Sequence, residues 1–116
     1  MTAISPTELI YVMEHDAHTT PKPATYSAAG VALRVRLTRE ALGLSQSEMF
    51  RMLGFSRSGW NNIETGDSRI TVDTIVHLME LFPNAGLSAD WFYFGWRDKL
   101  SRVFRQRIEE LNPIQQ

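Results

Sequence analysis

The stretch from Gly43 to Gly66, GLSQSEMFRMLGFSRSGWNNIETG, constrains the fold more than any other part of this 116-residue chain. It carries start and stop signals for two short helices with a turn between them. Ser45 is placed to accept from the free N–H groups of a first helical turn, and Glu48, three residues on, completes a capping box. Met49, Met52 and Leu53 recur at helical spacing and Gly54 supplies a positive-φ stop, so the first helix spans about nine residues. Phe55 and Ser56 form the turn. Ser56 caps a second helix, in which Trp60, Ile63 and Glu64 precede the stop at Thr65-Gly66. A turn of three or four residues holds two helices at a steep angle.

This stretch resembles the helix-turn-helix domain of the phage-repressor and Cro family, the XRE-like regulators. The resemblance rests on Gly43-Leu44-Ser45-Gln46, Gly54 eight positions after Gln46, Ser56, Ile63 and Glu64-Thr65-Gly66, where glycines, caps and apolar positions agree in order and spacing. A weaker echo follows in Ile75, Leu78 and Leu87-Ser88-Ala89-Asp90-Trp91, so that roughly residues 31 to 95 are covered. The resemblance implies an all-α, five-helix lambda-repressor-like domain over residues 28–95. A short N-terminal extension and linker (1–27) would precede it, and an extra amphipathic helix (96–116) would follow.

The resemblance also implies that the helix after Ser56 lies in the major groove of double-stranded DNA, where base edges carry a distinguishable donor and acceptor code. Arg57 and Ser58 at its start, Asn61, and Asn62 one turn on fall where the family contacts bases. Arginine can bind guanine O6 and N7 bidentately, and asparagine can do the same with adenine N6 and N7. Gln46 falls at a phosphate-contact position that often braces the reading helix, and Arg36 and Arg69 are further backbone-contact candidates. Arg39 and Glu64 stand where the family pairs the first helix with the end of the reading helix, a structural salt bridge. Outside this motif the same polar residues would read as an ordinary solvated helix face. Two positions depart from the family pattern: Phe50 replaces the usual alanine and Trp60 a smaller aliphatic residue. Overpacking a tight core costs about 1 to 3 kcal/mol, and a mid-helix glycine roughly 1 kcal/mol relative to alanine. Phe50 and Trp60 are therefore expected to pack together beside Gly59.

Composition narrows the alternatives. The 43% apolar content suffices for one core, and the length for one domain with extensions. The absence of cysteine removes disulfides, thiolate nucleophiles and the common zinc-finger ligand sets. No apolar run approaches the ~18 residues of a membrane span and no signal-peptide pattern opens the chain, which is expected to be cytoplasmic and, from the resemblance, prokaryotic or phage-borne. The net charge of −1 opposes DNA binding mildly, but it is unevenly distributed. Residues 31 to 70 hold six arginines (34, 36, 39, 51, 57, 69) against four acids, and residues 96 to 116 hold five bases against three acids. Residues 71 to 95 hold three acids and no lysine or arginine. Ten of the twelve basic residues are arginine, suited to planar bidentate contacts or, equally, to a mixed solvated surface.

Along the rest of the chain, Ser5-Pro6-Thr7-Glu8 starts a short helix reaching about Glu14, with a strand through Leu9 to Val12 as the alternative. His15, Asp16 and His18 resemble a metal cluster only superficially, and Thr19 to Thr25 reads as a linker. Ser27 caps a helix running to Gly43, with Val31, Val35 and Leu42 on one stripe, Leu33 and Leu37 on a neighbouring one, and Arg34 and Arg36 outward. Thr71 caps a helix whose Ile75, Leu78, Met79 and Phe82 face the core, with His77 at the surface or packed. Ser88 and Asp90 open a short aromatic helix, Trp91 to Phe94. A last amphipathic helix, about Arg97 to Leu111, either completes the monomer core or forms a homodimer interface. The reading is a DNA-binding transcriptional regulator, a repressor that occupies a palindromic operator as a homodimer, without cofactor or metal. The alternative is an antitoxin or other interaction module that engages a protein partner through the N-terminal segment or the C-terminal helix. No paired carboxylates, nucleophile elbow or phosphate loop supports an enzyme.

Overall fold

Helix α1 organises the molecule. The computed structural model describes residues 26–113, all helix and connecting turn. The readings of residues 5–18 and of the linker lie outside that range. Ser27 accepts from the Gly30 N–H at 3.0 Å and starts α1, Ala28–Ala41. Four elements follow: α2 (Gln46–Leu53), α3 (Arg57–Thr65), α4 (Val72–Leu81) and a 3₁₀ turn at Pro83–Ala85. A π-helical turn at Asp90–Phe94 and helix α5 (Arg102–Leu111) complete the chain. The helices α2 to α5 each begin on a serine or threonine that caps the first turn: Ser45, Ser56, Thr71 and Ser101.

One face of α1 packs on α3, another on the π-helical turn and a third on α5. Its buried residues include Val31, Val35 and Leu37, as the apolar stripes require, with Leu33 and Leu42 half-buried beside them. Arg34 departs from expectation. It is only 8% exposed, and its Nε and Nη2 donate to the carbonyls of Phe92 and Tyr93, each at 2.9 Å. Burial lowers its pKa. The guanidinium thereby closes backbone acceptors of the π-helical turn onto α1. The Trp91 indole reinforces this contact by donating to Thr38 Oγ1 at 2.9 Å. Trp91 and Phe92 are buried, while Phe94 is exposed, so α1 covers the aromatic run only in part.

The C-terminal helix begins later than its apolar pattern predicts, at Arg102 rather than near Arg97. Leu100 is pulled into the core, Ser101 Oγ accepts from the Phe104 N–H, and the Ser101 N–H donates to Ala85 O at 2.9 Å. Gly86, at φ +74°, makes this approach possible. A Cβ there would lie 2.2 Å from the Lys99 carbonyl oxygen. Phe104 and Ile108 enter the common core, whereas Val103 and Leu111, on the same predicted stripe, are exposed. Met79 of α4 is likewise exposed rather than core-facing. Among the described residues no helix is long and apolar enough to cross a membrane, and no three metal-ligating side chains gather.

Candidate nucleic-acid interface

The capping box at Ser45 forms in both directions: Ser45 Oγ accepts from the Glu48 N–H at 3.1 Å and the Glu48 carboxylate accepts from the Ser45 N–H at 2.9 Å. Hydrogen bonding from Ser45 to the carboxylate, first from its backbone N–H and then from its side chain, holds the Glu48 carboxyl below its ordinary pKa. Gly54 ends α2 at φ +78°, after which the Phe55 N–H donates to Phe50 O at 2.9 Å. Ser56 then caps α3 through the Gly59 N–H at 3.0 Å.

The inner face of α3 is anchored by one carboxylate. Glu64 is 1% exposed and accepts four hydrogen bonds: Arg39 Nε at 2.6 Å, Arg39 Nη2 at 3.1 Å, Gln46 Nε2 at 2.9 Å and Trp60 Nε1 at 2.6 Å. One residue thus ties α1, the start of α2 and the previous turn of α3 together. A buried charge is tolerable only with such a full set of donors. The Arg39–Glu64 pair is the salt bridge anticipated from the sequence. The Trp60 indole supplies more than the bulk expected of it and is a donor in the network. Its i, i+4 spacing to Glu64 was the available signal.

Trp60 is fully buried, and its ring lies 5.7 Å from that of Phe55, inclined at 56°. Phe55, not Phe50, is thus the ring paired with Trp60 and the one beside Gly59, where a Cβ would sit 3.7 Å from Phe55 Cδ1 and 3.0 Å from Ser56 Oγ. Phe50 is half-buried against the same core. A side chain at position 59 would crowd the cap and the turn.

The outer face of α3 is open. Arg57, Ser58, Asn61 and Asn62 are all exposed. Gln46, Ser56, Arg57, Ser58 and Asn61 line one concavity, while Asn62 is a helical step away from it and its carbonyl accepts from the Ser68 N–H. Gln46 is oriented by chemistry, since only its NH₂ can face the Glu64 carboxylate; its carbonyl oxygen and one N–H remain for other partners.

Two backbone-contact candidates are employed inside the molecule. Arg36, expected to point outward, is half-buried with Nη1 donating to the Glu64 carbonyl, so it holds the last turn of α3. Arg69 donates to Tyr26 O at 2.8 Å, and its guanidinium stacks 4.3 Å over the Tyr26 ring. With Arg34 and Arg39 also engaged, only Arg51 and Arg57 of the six arginines between residues 31 and 70 are exposed. The positive balance of this segment is therefore spent largely on internal acceptors. The stripe 31, 34, 35, 38 on α1 was the signal that Arg34 faces inward.

Residues 31–82 match the family model described as a helix-turn-helix domain. Residues 31–82 are a helix-turn-helix domain of the XRE/Cro-like kind. No curated protein and no solved structure matches the chain. In this helix-turn-helix domain α2 and α3 are the two motif helices, and the three residues Gly54, Phe55 and Ser56 are the turn. The matched segment ends at Phe82, so α5 lies beyond it, yet α5 completes the same hydrophobic core.

Proposed function

We propose that the protein is a sequence-specific DNA-binding regulator that represses transcription by occupying a two-fold symmetric operator as a homodimer, with α3 in the major groove. One observation carries this reading: α3 is clamped along its inner face by Trp60, Ile63 and Glu64 while its N-terminal residues present unburied polar groups at an open concavity. A rigid backing with a solvated reading edge suits base recognition, because each bidentate contact discriminates by about 1 to 3 kcal/mol only if the helix cannot shift. In this reading Arg57 contacts guanine, Asn61 and Asn62 contact adenine or the sugar edge, Ser58 contacts either, and Gln46 touches phosphate. Arg36 and Arg69 contribute by holding the backbone that carries the site, and Arg51 joins Arg57 as a source of positive potential. Two copies would place their α3 helices about 34 Å apart, one DNA turn.

The test is hydrogen exchange of the protein with and without a pool of random duplexes at modest ionic strength. Protection is expected at the N–H groups of residues 57–62 and at the start of α2. Protection confined to other surfaces, or no complex at all, would refute the assignment. A promoter-reporter assay with the selected duplex separates repression from activation.

A further inference from the structure

A groove runs between the end of α4 and the first turns of α5. Its lining includes the buried Ala85 and Phe104, and its exposed lining combines three apolar side chains, Leu81, Pro83 and Val103, with Asn84 and two guanidinium groups, Arg102 and Arg107. Val103 is 61% exposed although it lies on the apolar stripe of α5. The outward face of α4 has the opposite charge. Val72 and Val76 are exposed there beside Asp73 and Glu80, in a segment, residues 71 to 95, with three acids and no lysine or arginine. Leu81 is the last residue of α4 and also lines the groove, so the acidic apolar face and the basic apolar groove are contiguous.

The geometry points to a second copy of this chain as the occupant: the acidic outer face of α4 on one protomer seats against the Leu81–Val103 groove of the other, with Asp73 and Glu80 opposite Arg102 and Arg107. A two-fold axis requires a patch that complements itself, each protomer supplying both halves. An acidic apolar ridge adjoining a basic apolar groove meets that requirement; an all-acidic α4 face packed on itself would not. The inference deepens, and rests on, the homodimeric part of the reading above. It leaves the Arg57 concavity free, because none of the groove's lining residues belongs to it.

The test is sedimentation equilibrium of the full chain without DNA, so that its failure is separate from a failure of base reading. The wild type is expected to dimerise reversibly. Leu81→Glu should weaken the dimer by about tenfold or more. Reversal of the acids (Asp73→Lys with Glu80→Lys) or of the arginines (Arg102→Glu with Arg107→Glu) should each weaken it, and the four changes together should restore it. Arg107 also donates to Ala41 O, so Arg102→Glu alone serves as a second variant, and circular dichroism verifies that each protein is folded. A strictly monomeric wild type overturns the inference. So does a dimer that is indifferent to these charges, one that the four-fold swap does not restore, or one that is broken instead by Trp96→Asp on the exposed Phe94–Trp96 aromatic edge.

Discussion

Replacing Glu64 by leucine isolates the anchor of the reading helix. The carboxylate side chain is 1% exposed and its partner Arg39 14% exposed, so loss of the acid strands a guanidinium with little access to water. Breaking a buried pair costs about 3 to 5 kcal/mol. Arg39 keeps its bond to Leu44 O, which places the expected cost in the middle of that range, about 4 kcal/mol. For a domain of this size that is a fall in Tm of roughly 15 °C or more, out of a total stability of about 5 to 15 kcal/mol. The double change Arg39→Met with Glu64→Leu removes the stranded charge and leaves mainly the Trp60 indole without its acceptor, a cost of about 1 to 3 kcal/mol. Gln46 is exposed and can turn to water. Urea unfolding followed by circular dichroism measures both. A single variant that loses under about 1 kcal/mol, or a double variant no better than the single, refutes the account of Glu64 as a paired buried charge.

Other outcomes follow from the same geometry. Arg36→Ala should lower stability by loosening the end of α3 and should leave the salt dependence of DNA binding nearly unchanged, whereas a lost phosphate contact would reduce that slope by about one unit. Gly86→Ala should be strongly destabilising in thermal melts, because the added carbon meets the Lys99 carbonyl and the Ser101 nitrogen in a backbone conformation that disfavours it; an unchanged Tm contradicts the packing described. Glu48 has a lowered folded-state pKa, so its contribution is present above the unfolded carboxyl value of about 4.3 and is lost as pH falls through the lower folded value. Glu48→Gln should therefore flatten the acid limb of the stability–pH curve, and an unaltered limb would show that the capping box carries no titrating stability.

Local signals made α2, the turn and α3 legible: the Ser45 and Ser56 caps, Glu48 and Gly54 act within one helical turn of themselves and are little altered by tertiary context. The Arg39–Glu64 pair was legible through the family resemblance, and the exposure of Arg57 and Asn61 through the position of the apolar stripe on α3. The fate of the other cations was legible only in part. Arg34 is marked as inward-facing by its place on the α1 stripe, but whether Arg36 and Arg69 face water depends on carbonyls at Glu64 and Tyr26, and no charge count along the chain reveals such distant acceptors. For a similar reason, helix α5 starts later than its sequence pattern predicts. Residues 97 to 100 continue an amphipathic pattern, but the burial of Leu100 and the approach of Gly86 impose a turn.

The reading-edge assignment is tested most directly by selecting bound sequences from random duplexes with the wild type and with Arg57→Ala side by side. The account predicts one enriched motif for the wild type and, for the variant, relaxed preference at a single guanine position with a loss of about 1 to 3 kcal/mol. No enriched motif, or an equal loss of affinity for every sequence, would contradict it.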